Sequence, residues 1–276
     1  MGTLQRVSIP ALISLAWLVM MYGLVRDDVL PTFQRGREIT RSASYERLAG
    51  QANSTRVTQM GIYFGEARIG QAVACVKKRG NELSIDAETL IDLRRAPAFE
   101  SVSNLLGAMA NGKIRFRALV LDGRLVNFRS TVSSPPGTAP MVSIDGTPLG
   151  GTLRLEIRQL GETRVTTVPF DERQFVHSVM APTLAVGELA VGKKWLVKQL
   201  DQMTGSVAAV WAEVLRKETV TIGRRTYEAF VVNLSSGFFN LLVWVDPDGN
   251  VLKQQFLGFT FVREEPSPET LAEMMR

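Results

Sequence analysis

The sequence contains one cysteine and one histidine in 276 residues. A single cysteine excludes any intramolecular disulfide and any multi-cysteine metal site, and it is neutral on redox compartment. Cys75 and His177 are the only pair that offers a nucleophile and a base. Cys75 lies in "QAVACVKK", whose alternation reads as one face of a strand. His177 lies in "QFVHSVM" beside apolar residues, where a helix or loop covering a sheet is expected. No catalytic residue, metal ligand or cofactor is assigned, and the expected class is a non-enzyme. Charge of one sign is not concentrated either. The 32 Lys and Arg are scattered among 27 Asp and Glu, so the net +5 reads as solvated surface rather than as a nucleic-acid interface.

One long apolar run departs from the composition of a soluble domain. "VSIPALISLAWLVMMYGLV", residues 7–25, carries no charge over 19 residues. As a helix it spans roughly 28 Å, near the hydrocarbon thickness of a bilayer. Trp17 and Tyr22 are its amphipathic aromatics, and Tyr22 is placed near an end as an interfacial anchor. The competing reading is a cleaved leader, but the run exceeds the roughly 7–15 residues usual there and no small-x-small site precedes "RDD". An uncleaved membrane anchor is therefore expected. By bare count, Arg26, Arg35, Arg37 and Arg41 on the far flank against Arg6 on the near one favour keeping the bulk inside. Large domains translocate largely regardless of such charge, so orientation is open at this point.

The rest reads as β structure. Residues 31–55 form a polar, arginine-bearing linker or helix, and from residue 56 the period becomes two. "TRVTQMGIYFG", "IGQAVACVKK" and "NELSIDAETL" are strands separated by "GEAR" and "RGNE" turns, and Asp122-Gly123 is a two-residue hairpin signal. "AFESVSNLLGAMANG" predicts a helix ended by Gly112. A second β unit is expected over 141–276 after a first over 56–140, behind an anchor over 1–30. It closes on a short helix capped by Ser267. "MGIYFGEARIGQAV" is echoed by "VSIDGTPLGGTL", either as the start of two related units or as a coincidence of two turn motifs. "DPDGN", Asp246 to Asn250, has its glycine at the wrong position for a calcium loop and reads as a hairpin turn.

"MGIYFGEARIG", "IGRRTYEAFVV" and "LLVWVDPDGNVLKQQ" resemble a class of bacterial envelope domains found beside transglutaminase-like proteins. They also resemble related periplasmic proteins built as a lipoprotein-carrier-like β half-barrel. The resemblance covers Met60 to about Glu269 and implies a mainly β fold. Its curved antiparallel sheets would be half-barrel-like and possibly duplicated, with short covering helices behind one transmembrane helix. It also implies a single-pass protein of the bacterial inner membrane with its bulk in the periplasm. The transglutaminase chemistry is not implied, because that domain is absent.

Two adjacent aromatic strands carry the candidate site. "GFFNLLVWV" and "FLGFTFV" place Phe239, Leu241, Val243 and Val245 on one face of a strand, and Phe238, Leu242 and Trp244 on the other. Strands apolar on both faces are covered on both or face a ligand cavity. Ordinary core is one reading. The other is a hydrophobic groove of Phe239, Leu241, Trp244, Phe256, Phe259 and Phe261, lidded by a segment carrying His177 and Met180, that takes a lipid or lipoprotein acyl chain. A scaffold or accessory subunit of an envelope complex, using sheet edges, is the alternative.

Overall fold

The computed structural model describes residues 45, 55–96, 111–159, 161–172, 176–177, 189–200, 207–236 and 239–275. The expected anchor with Trp17 and Tyr22, the predicted helix over 98–112 apart from its last two residues, and Met180 lie outside them. Among the described residues no helix is long and apolar enough to cross a membrane.

The first eight strands are β1 (Thr55–Phe64), β2 (Ala67–Arg79), β3 (Glu82–Asp92), β4 (Asn111–Leu121), β5 (Arg124–Ser133), β6 (Val142–Leu149), β7 (Thr152–Gln159) and β8 (Glu162–Pro169). The remaining seven are β9 (Val176–His177), β10 (Lys194–Leu200), β11 (Val207–Ile222), β12 (Arg225–Ser236), β13 (Phe239–Val245), β14 (Val251–Phe256) and β15 (Phe259–Glu264). They form one curved sheet in the order β8-β7-β6-β5-β4-β3-β2-β1-β15-β14-β13-β12-β11-β10-β9. Where two sheets are expected there is one, because β1 pairs with β2 on one side and with β15 on the other. The first and last strands of the chain thus meet at the middle of the sheet. Its ends, β8 and β9, are not paired with each other, so the sheet is unclosed.

Short turns make neighbours in sequence neighbours in space, and every adjacent pair but one is antiparallel. The exception is β9, which runs parallel to β10 through Val176 and His177. His177 is therefore an edge-strand residue. Gly112, expected at the end of the helix over 98–112, lies in a strand. It is the second residue of β4, opposite Ile91. The sheet continues across the Pro-rich segment at 134–140, since Phe128–Val132 pairs with Val142–Gly146. Both echoed phrases fall in the same eight-strand meander, as hairpins β1–β2 and β6–β7.

Asp122 and Gly123 take φ 51° and 72°, the left-handed pair whose twist matches a hairpin. Leu257 and Gly258 make the same kind of turn with φ 47° and 84°, although leucine tolerates it poorly. Ser267 caps the helix Pro268–Met275 as expected, its Oγ accepting from the Thr270 N–H at 3.1 Å.

Alternation gives the sheet an apolar face and a charged face. Over β2–β8 the apolar face is built from Val76, Ile85, Ala118, Phe116, Phe128, Ile144 and Leu155, with the buried Tyr45 against them. A second core joins β1 and β2 to β11–β13 and β15, with Leu93, Ala96 and Trp195 packed in. The charged face carries Asp86, Arg117, Arg129, Asp145 and Glu156 as successive cross-strand partners from β3 to β7.

Candidate functional site

The expected groove residues divide between the two faces. Leu241 and Phe261 are buried in the second core, with Phe256 and Phe259 packed against it. Phe259 lies against Phe64 with ring centroids 5.4 Å apart. Phe239 opens β13 opposite Ser236, on the register that places it with Leu241.

Trp244 is on the opposite face. It packs with Ala229, Val231 and Leu252 in a small separate cluster. Its indole N–H donates to Glu218, and Lys253 Nζ stands 4.7 Å from its ring centroid. Every polar and cationic feature around Trp244 is thus occupied by this chain, and it shares no surface with Leu241 or Phe261. The Glu218 carboxyl is held below its usual range, first by the Trp244 indole and then by Arg216.

The register shows what lies between the apolar residues. Val214, Val232, Val243, Gln254, Phe261 and Ile62 are consecutive cross-strand partners from β11 to β1. All six are within 1 % of fully buried. Five are hydrocarbon and the fourth is a primary amide. Among the described residues, neither the oxygen nor the nitrogen of the Gln254 amide has a hydrogen-bond partner. The indole N–H of buried Trp195, in the next row beside Ala212, Leu234 and Leu241, is also unpartnered. Leaving such groups unpaired costs about 1–3 kcal/mol each. The apolar face therefore carries amide and indole hydrogen-bonding groups that no described residue satisfies.

Two guanidinium groups stand on this face of the central strands. Arg263 is the partner of Met60, and Arg56 lies four residues before Met60 on the same side of β1. Burial lowers the Arg56 pKa, and Arg263 lowers it further, while Asp246 and Asp248 oppose the shift. Asp246 itself accepts from the Asn250 N–H at 2.7 Å and from its side-chain amide at 2.6 Å, so "DPDGN" is a self-bonded turn.

A concavity of about 300 Å³ lies between the charged face of β2–β4 and the C-terminal helix, lined by Lys77, Glu88, Arg115 and Glu273 among others. Four of its charged groups are paired with neighbouring strands. Asp86 binds Arg115 and Arg117 at 3.1 Å each, and Lys113 binds Glu88 at 2.7 Å. Cys75 and His177 are not brought together, since eight steps of the strand order separate β2 from β9. Cys75 is buried, and burial pushes its thiol pKa up.

Gln254 and Trp195 carry the buried, unsatisfied polar groups of this face among the described residues, and neither is evident from aromatic clustering. The only sequence signal for them is a polar residue and a tryptophan inside strand-like runs, "VLKQQF" and "KKWLVK".

No family model matches the chain, and no curated protein matches it. Among solved structures the chain is similar to a beta-barrel-like protein of a domain of unknown function from Brucella abortus, at 8% identity over 76% of this chain and 95% of that one, with a TM-score of 0.44.

Proposed function

We propose that the protein is a non-catalytic binding protein for an amphiphile, a lipid or lipoprotein acyl chain, taken up on the apolar face of β10–β15 and β1. Residues 7–25 hold it in the bacterial inner membrane, with the strands on the periplasmic side. The observation that supports this reading is Gln254, an unpartnered amide in the middle of a fully buried hydrocarbon row. An acyl chain matches the row, and an ester, amide or carboxyl group on that chain matches the amide. Each methylene withdrawn from water contributes about 0.8 kcal/mol, so a short length of chain gives useful affinity.

Titration of the full-length protein with a fluorescent fatty acid tests it. Saturable binding is expected, weakened roughly tenfold by Gln254→Met, the loss of one hydrogen bond at about 1.4 kcal/mol. Binding that never saturates, or that ignores the substitution, would refute it.

A further inference from the structure

We infer that β8 is a self-docking edge. Two copies of this chain pair their β8 strands antiparallel about a two-fold axis at Val165, so that each sheet continues into the other. β8 ends the sheet, and six of its eight residues are exposed, with Val165 at 51 %. Natural sheet edges are shielded by shortness, charged side chains, proline or a bulge, and β8 keeps its two charges, Glu162 and Arg164, in its first three residues. Among the described residues the strand at the other end of this sheet, β9, has only two residues. β8 has eight, no lysine, no bulge against β7, and no charge from Val165 to Val168. Its one proline, Pro169, is its last residue.

The backbone alternation fixes which groups are free. β7 and β8 are joined through residues 160–161, so Gln159 and Glu162 are the closing hydrogen-bonded pair of a two-residue hairpin. The same alternation reaches Phe170, whose N–H donates to the Gly151 carbonyl at 3.0 Å. Glu162, Arg164, Thr166 and Val168 therefore spend their backbone groups on β7. Those of Thr163, Val165 and Thr167 point outward.

We take a second copy as the occupant because this segment pairs with itself about Val165 without setting like charges directly opposite each other. With the axis there, Val165 faces Val165 of the copy and Thr163 faces Thr167, so every outward N–H meets an outward carbonyl. Arg164 then opposes Thr166, and Glu162 opposes Val168, with no like charges directly opposed. Moving the axis to Arg164 sets arginine against arginine. Moving it to Thr166 sets Thr163 against Pro169, which has no N–H to give.

Cysteine cross-linking of the full-length protein in mild detergent, on a Cys75→Ser background, tests both the dimer and its register. Val165→Cys should give a covalent dimer under gentle oxidation, since the paired Cα atoms lie within disulfide range. Thr163→Cys alone should cross-link at least roughly tenfold more slowly, its counterpart being four residues out of register. A mixture of Thr163→Cys with Thr167→Cys should cross-link readily. Val165→Pro should abolish dimer in sedimentation and leave the melting temperature of the monomer, measured at high dilution, unchanged, because that N–H makes no bond to β7. Wild-type protein that stays monomeric up to about 100 µM, or equal cross-linking of Val165→Cys and Thr163→Cys, would overturn the proposal.

Discussion

Glu264 occupies the space that a side chain on Gly61 would need. A Cβ built on Gly61 runs into the Glu264 carboxylate and the Tyr63 ring. That carboxylate accepts from Tyr63 OH at 3.0 Å and from Arg68 Nη2 at 2.8 Å, tying β15 to the β1–β2 hairpin. Desolvation, and then Glu264, raises the Tyr63 pKa. Much of "GIYFGEARIG" is explained by this junction at the middle of the sheet. Gly61 makes room, and Tyr63 and Arg68 donate. Gly70 leaves room for the Leu90 carbonyl.

Gly61→Ala should therefore cost about 1–3 kcal/mol, as displacement of Glu264 strands its donors. Thermal melts of Gly61→Ala, Glu264→Ala and the double variant check this. The effect of Glu264→Ala should be smaller in the Gly61→Ala background, because the network is already broken there. Additive effects would show that the two residues act independently.

Leu257 holds φ 47° while 72 % exposed, so it bears backbone strain with little burial in return. Leu257→Asn supplies an Asn-Gly turn and should raise stability by about 0.5–1 kcal/mol in a denaturant titration. A loss of stability would mean that the leucine side chain packs usefully in solution.

Glu218 links stability to pH. Its folded pKa is depressed, so its stabilising contribution is present above the unfolded value of about 4.3 and is lost as pH falls through the folded value. The melting-temperature gap between wild type and Glu218→Gln should be flat above about pH 5 and should close on acidification below about pH 4. A gap that widens in acid would contradict the assignment.

Cys75 is 1 % exposed and its thiol pKa is raised. It should resist a thiol reagent in native protein at pH 7.5 and react on unfolding, with a rate at least ~100-fold slower than a free thiol. Rapid native labelling would reopen the nucleophile question.

Strands and turns are legible because each is a local pattern. Alternation in "NELSIDAETL", the Asp122-Gly123 turn and the Ser267 cap need no distant partner. The junction of β1 with β15 is not legible, because the residues that fit together, Gly61 and Glu264, are far apart in sequence and neither signals the other. Gln254 is hidden for a different reason. Strict alternation from the buried Val251 would turn Lys253 inward, but Val245 pairs with Val251 while Trp244 pairs with Lys253. The bulge at Leu252 resets the phase, so lysine faces Trp244 and Gln254 enters the core. Trp244 and Leu241 alternate in sequence, and the structure separates them accordingly. Grouping them in one groove combines two faces of the sheet.

Native mass spectrometry of the full-length protein released from detergent micelles tests the central claim most directly. A discrete added mass that solvent extraction removes, and that Gln254→Met protein does not retain, is the predicted result. A bare chain mass for both proteins, under conditions that preserve the fold, would contradict it.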